Sequence, residues 1–151
     1  MQPTSQHSET SWLRQGLIFG LLLGLVQLII WLTTFAIPFV PIRSGVNFLL
    51  SPLLSLVAGL LVGLRVSRQT GKMSAGLLAG LITGLFAGML FSIVSFIYVT
   101  AQLYSTGYRG NPLSFFQSPV PLFLLSQRLL PAFVGGVIGG AVGREERNYR
   151  V

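Results

Sequence analysis

Four long apolar runs, separated by short polar or proline-bearing breaks, constrain this chain more than any other feature of its sequence. A helix rises about 1.5 Å per residue, so roughly 20 apolar residues cross the ~30 Å hydrocarbon core of a bilayer. The runs at 16–36, 46–64, 74–99 and 121–143 meet or approach that length. In lipid every backbone N–H and C=O must find its partner inside the protein, which a helix achieves segment by segment. The expected fold class is therefore all-α, a polytopic membrane protein with four transmembrane helices. Composition excludes the soluble alternatives: 52% of the 151 residues are hydrophobic and only 9% charged, against about 25% charged in an ordinary soluble domain.

The expected organisation is a flexible polar tail at 1–14, a transmembrane domain at 15–144 and a short charged tail at 145–151. Arg14 ahead of the first run, and Thr34-Phe35-Ala36 at its end, loosely resemble a signal peptide with its cleavage site. The run exceeds the roughly 7–15 apolar residues of a signal core, so a retained helix is expected. Pro38 and Pro41 end the first helix, because proline lacks an N–H and disfavours helical geometry in the residue before it. Arg65 and Arg68 close the second, Val66–Met73 forms a short loop, and a polar-aromatic connection fills Thr100–Pro121. That connection holds Tyr104, Tyr108, Arg109, Asn111 and Pro112. The last helix starts either near Pro121, which places Arg128 within the membrane, or near Leu129, which leaves a short span.

Lysine and arginine concentrate in cytoplasmic loops. With both termini inside, the cytoplasmic face receives Arg14, Arg65, Arg68, Lys72, Arg144, Arg147 and Arg150, while the outer face receives Arg43, Arg109 and Arg128. The expected location is the plasma or inner membrane, with both termini cytoplasmic. Arg65, Arg68 and Lys72 are placed to meet anionic lipid headgroups. The net charge of +7 is dispersed along the chain, whereas nucleic-acid binding needs one basic patch, so no nucleic-acid partner is expected.

Small residues recur every fourth position. The stripes are Gly16, Gly20 and Gly24; Ser51, Ser55, Gly59 and Gly63; Gly76, Gly80, Gly84 and Gly88; and Gly135, Gly139 and Gly143 beside Ala132, Gly136 and Gly140. Residues four apart share a helix face, and glycine there lets a neighbouring backbone approach for van der Waals contact. This small-xxx-small pattern predicts glycine-zipper packing, with the third and fourth helices central because each carries two such stripes, the second on the third helix being Ala75, Ala79, Thr83 and Ala87, and with the first two helices peripheral. The glycines fall in the expected cytoplasmic half, while Phe35, Phe48, Phe91, Phe96, Tyr98 and Phe123 fall in the outer half. A bundle closed inside and splayed outside follows. Gly16-Leu17, Gly20-Leu21 and Gly24-Leu25 recur as Gly76-Leu77, Gly80-Leu81 and Gly84-Leu85, which hints at two tandem helical hairpins.

The parts for catalysis within the spans are missing. The one histidine is His7, the acids are Glu9, Glu145 and Glu146, and cysteine is absent. General acid-base chemistry, a carboxylate proton relay, metal ligation and a nucleophilic triad all need groups this membrane region does not carry. Gly71-Lys72 lacks the spacing of a phosphate loop. The chain is expected not to be an enzyme, and to need no cofactor or metal.

The polar residues left within the spans are Gln27, Asn47, Ser92, Ser95 and other hydroxyls, with Gln127 and Arg128 if the last helix starts early. For Gln27 an interhelical hydrogen bond is the plainer expectation. Arg128 either snorkels to the outer interface or marks a functional site. The leading expectation is a homo-oligomeric bundle or an accessory subunit of a larger membrane complex, in contact with membrane lipids. The alternative is a small transporter or channel-like protein with an outward vestibule for an anionic or neutral solute, or a binder of lipid or another hydrophobic molecule. Gln27, Asn47, Ser92, Ser95 and Arg128 are the candidate contacts for that alternative.

Overall fold

Each apolar run folds as a continuous helix that outlasts its apolar centre. The computed structural model describes residues 6–36, 43–105, 111 and 113–148. The helices are α1 (Gln6–Ala36), α2 (Arg43–Thr70), α3 (Met73–Ser105), a short α4 (Ser114–Gln117) and α5 (Val120–Asn148). Trp12–Thr33, Leu49–Thr70, Met73–Ser105 and Val120–Glu146 are each long and apolar enough to cross a membrane. Pro38, Pro41, Tyr108, Arg109 and Pro112 lie outside the described residues, as do the side chains of Phe35, Asn47 and Phe48.

The helices are longer than the apolar runs predict. α1 already begins at Gln6, α2 continues through Arg65 and Arg68 to Thr70, and α3 reaches Ser105. Extending an existing helix gains one hydrogen bond per residue without a new nucleus, so helices persist past the apolar boundary. What stops α2 is Gly71. Its φ of 72° is left-handed, and its N–H donates to the Ser67 carbonyl at 2.7 Å. This glycine cap reduces the expected loop to Gly71-Lys72. Gly71→Ala should therefore cost about 1 kcal/mol, read as a lower midpoint of unfolding in detergent, because a Cβ disfavours that conformation.

α5 starts at Val120, with Pro121 in the first turn, where a missing N–H removes no helical bond. Arg128 is therefore two turns inside the helix. Ahead of it, Leu113 N donates to Asn111 Oδ1 at 3.0 Å and Ser114 N donates to the Asn111 carbonyl at 3.1 Å, which starts α4. Pro52 and Pro131 lie within α2 and α5. Each withholds one N–H from its helical ladder, a loss that membrane helices tolerate because neighbours supply other partners.

The order of the glycine contacts gives the helix directions. Along α1, Gly16, Gly20 and Gly24 meet Ala79 and Ile82, then Thr83 and Phe86, then Ala87 and Leu90 of α3. Numbers rise together, so α1 and α3 are parallel. Gly59 and Gly63 of α2 meet Ala132 and Gly136, and Gly135, Gly139 and Gly143 meet Leu56, Leu60 and Leu64, so α2 and α5 are also parallel. Gly76, Gly80, Gly84 and Gly88 run the opposite way against Gly140, Gly136, Arg128 and Leu125 of α5.

The α2–α5 pair has the most extensive contact, followed by α3–α5 and α1–α3. The expectation that the third and last helices are central and the first two peripheral is corrected here: α2 and α3 each touch the other three long helices, whereas α1 and α5 each pack on α2 and α3 and barely meet one another. One stripe suffices for α2 because Gly59 and Gly63 abut α5 while larger residues complete its other face. Val62 and Val66 are fully buried with Ala75 and Ala79 of α3, and Trp12 and Phe19 of α1 cover that cluster. The sequential pairs are unequal, since α3 and α5 touch through glycines whereas α1 and α2 meet loosely.

Candidate binding cavity

The first helix touches α2 and α3 but barely meets α5. Beyond the last glycine contacts, on the side of the 36–43 and 105–120 connections, the four helices part around a cavity of about 350 Å³. α1 contributes Gln27, Ile30 and Trp31; α2 Leu50, Ser51 and Leu54; α3 Phe91, Ser95 and Val99. α5 contributes Val120, Phe123, Leu124, Gln127 and Arg128. The walls are mostly apolar, and the polar groups gather at one end.

That end is built around Arg128, which is only 3% exposed. Its Nε donates to Gln27 Oε1 at 2.7 Å, and Nη1 donates to the Leu124 carbonyl at 2.7 Å. An arginine can only donate, so Gln27 must present its oxygen and turn its amide NH₂ away. The Gln27 Nε2 accordingly donates to Ser55 Oγ at 3.1 Å and to the Ser51 carbonyl at 3.2 Å. Ser55 Oγ donates in turn to the Ser51 carbonyl at 2.9 Å. One relay thus ties α5 to α1 and α1 to α2.

The guanidinium carbon lies 3.7 Å from the centroid of the Phe91 ring, a cation–π contact that partly replaces lost hydration. Trp31 meets Phe91 edge-on at 6.0 Å between centroids and Tyr98 edge-on at 4.7 Å, which fixes the aromatic wall. The Arg128 side chain is turned into the bundle, among these partners. Its partners are all neutral. Glu9, Glu145 and Glu146 are the chain's only acids, and all belong to the opposite end of the bundle. There Glu146 pairs with Arg68.

The structure brings Gln27, Ser95 and Arg128 together at the cavity. Ser92 lies one turn from Ser95 outside the cavity lining, and its Oγ is buried without a partner among the described residues. The side chain of Asn47 is outside the described residues. Arg65 and Lys72 are exposed at the other end, while Arg68 is engaged by Glu146. Sequence reading groups Gln27 and Arg128 around one vestibule but does not pair them directly. A signal existed: they are the spans' strongest donor-acceptor pair, and a buried arginine requires an acceptor. The place of Phe91 beneath the guanidinium has no sequence signal, since periodicity cannot tell which of several phenylalanines faces a given helix.

No family model, curated protein or solved structure matches this chain.

Proposed function

We propose that the chain is a multi-pass integral membrane protein of the plasma or inner membrane that binds a small amphipathic guest in its outer cavity. The observation that carries this reading is the cavity of about 350 Å³ between the four helices, apolar along its walls and polar at one end. Small-molecule sites have that form, with volumes of about 300–1,000 Å³ and a few converging polar groups. The glycine stripes act as zippers that hold the other half shut. An assembly or accessory role draws on a surplus of small-residue faces. Every glycine of those stripes lies against a helix of this same chain, so the cavity carries the proposal instead.

The test uses Trp31, which lines the cavity, in a Trp12→Phe background that leaves it the sole tryptophan. In phosphatidylcholine nanodiscs, dodecyl amphiphiles brominated at the sixth carbon, with neutral, anionic and cationic heads, are titrated against its fluorescence. Saturable quenching by at least one of them is expected, and Ser95→Phe, which fills the cavity from α3, should abolish saturation. Quenching that only follows partition into the bilayer, unchanged by Ser95→Phe, counts against a binding site.

In this reading both termini are cytoplasmic, as the balance of basic residues favours. Single cysteines at Ser44 and Gln102 should be labelled from outside, and those at Ser5, Gln69 and Asn148 protected. External labelling at Gln69 would reverse the orientation.

A further inference from the structure

We infer that the guest carries an oxyanion, a carboxylate or a phosphate monoester, which seats on the Arg128 guanidinium while its alkyl body lies along the apolar wall. This rests on the binding proposal above and assigns the chemistry of the guest. Two observations lead to it independently: the charge left over at the cavity, and the shape and surface of the space beside it.

The charge is uncompensated. Arg128 is almost wholly buried, its protein partners are the neutral oxygens of Gln27 and Leu124, and the chain's three acids, Glu9, Glu145 and Glu146, all belong to the opposite end of the bundle. Burying a cation without an anion is costly in protein, and intramembrane charges pair or line functional paths for that reason. An anionic guest supplies the missing partner. Of the five guanidinium N–H donors, two have acceptors among the described residues, and Phe91 covers one face of the plane. The remaining donors lie in that plane, the geometry that matches the paired oxygens of a carboxylate or phosphate.

The walls decide against a free inorganic anion. Beyond Arg128, Gln27, Gln127, Ser51 and Ser95, the lining is aliphatic or aromatic, and a small hydrated ion would lose its water there with little return. At roughly 30 Å³ per water-sized unit, a volume of about 350 Å³ takes about a dozen heavy atoms. A headgroup with the first part of an alkyl chain fills it.

The test titrates 6-bromododecanoate, 6-bromododecyl phosphate and 6-bromododecanol against Trp31 in the same nanodiscs at about pH 9, where the carboxyl is ionised. Inorganic phosphate and acetate serve as competitors. Both anionic amphiphiles should bind at least about tenfold more tightly than the alcohol, because a paired-oxygen ion pair with the guanidinium replaces a single bond to an uncharged hydroxyl. Arg128→Met should abolish the preference, so that the anions bind no more tightly than the alcohol does to the same variant. Arg128→Lys should lose most of the preference, because an ammonium lacks the planar fork.

Equal affinities for alcohol and anions in the unmodified protein overturn the inference, whatever the variants do. Displacement by inorganic phosphate or acetate at the amphiphiles' own concentrations assigns the site to a free anion and overturns it as well. Saturable binding of the alcohol alone keeps the cavity as a binding site and removes only the anion. No saturable quenching by any of the three removes both.

Discussion

Gly139→Ala is expected to destabilise the bundle by about 3 kcal/mol, the upper end of the usual overpacking range, although it adds a single methyl group. A Cβ at Gly139 would overlap the Leu60 carbonyl oxygen and lie 2.8 Å from the Leu64 nitrogen. Both are backbone atoms inside α2, so no rotamer change relieves the clash. The two helices must separate, and α2–α5 is the most extensive contact in the molecule. Gly24→Ala is the contrast. Its nearest neighbour would be Leu90 Cδ2 at 3.3 Å, the end of a flexible side chain. There the gain in helix propensity, about 1 kcal/mol, offsets mild crowding, and the net change should stay under about 1 kcal/mol. Reversible unfolding of both variants in mixed micelles measures the difference. Equal stabilities would mean that α2 and α5 do not approach as closely as their glycines allow.

Gln27→Leu and Arg128→Met should move stability in opposite directions. The first leaves the Arg128 Nε and the Ser55 hydroxyl without Gln27, as their bonds at 2.7 and 3.1 Å disappear. The expected loss is about 2 kcal/mol. That exceeds the ~0.6 kcal/mol average for polar contacts between membrane helices, because one partner is a buried charge. Arg128→Met removes the charge itself and keeps an unbranched apolar chain beside Phe91. Replacing buried ionic groups by hydrophobes of similar size is often neutral or stabilising by about 1–4 kcal/mol, and because Gln27 Oε1 loses its donor a gain near the lower bound is expected here. The double variant should be at least as stable as the unmodified protein, giving a large coupling between two residues 101 positions apart. Stability would then rise as oxyanion binding falls, the signature of a charge kept for a ligand. If Arg128→Met proves as damaging as Gln27→Leu, the arginine is holding the helices together instead.

Much of the fold was legible in the chain. Apolar run length alone predicted four helices long and apolar enough to cross a bilayer, because helical rise and bilayer thickness set that length. The stripe at Gly76, Gly80, Gly84 and Gly88 marked a face where another helix comes close. Helix ends were less legible: Gln6 and Thr70 are helical because propagation is cheap once a span exists, and only Gly71 carried a visible stop.

Within the site, Gln27 and Arg128 stood out as polar residues among apolar ones, a contrast the sequence displays directly. Which of them meet was decided by the tertiary structure. Glycine spacing says that a face is small but not whose backbone it receives, so the parallel pairing of α1 with α3 and of α2 with α5 could not be read from periodicity. That pairing keeps α1 away from α5, opens the cavity, and sets Gln27, Phe91 and Arg128 at one point. Local pattern determines what each helix must bury; only the simultaneous fit of all four determines against what, because close backbone contact depends on both partners at once.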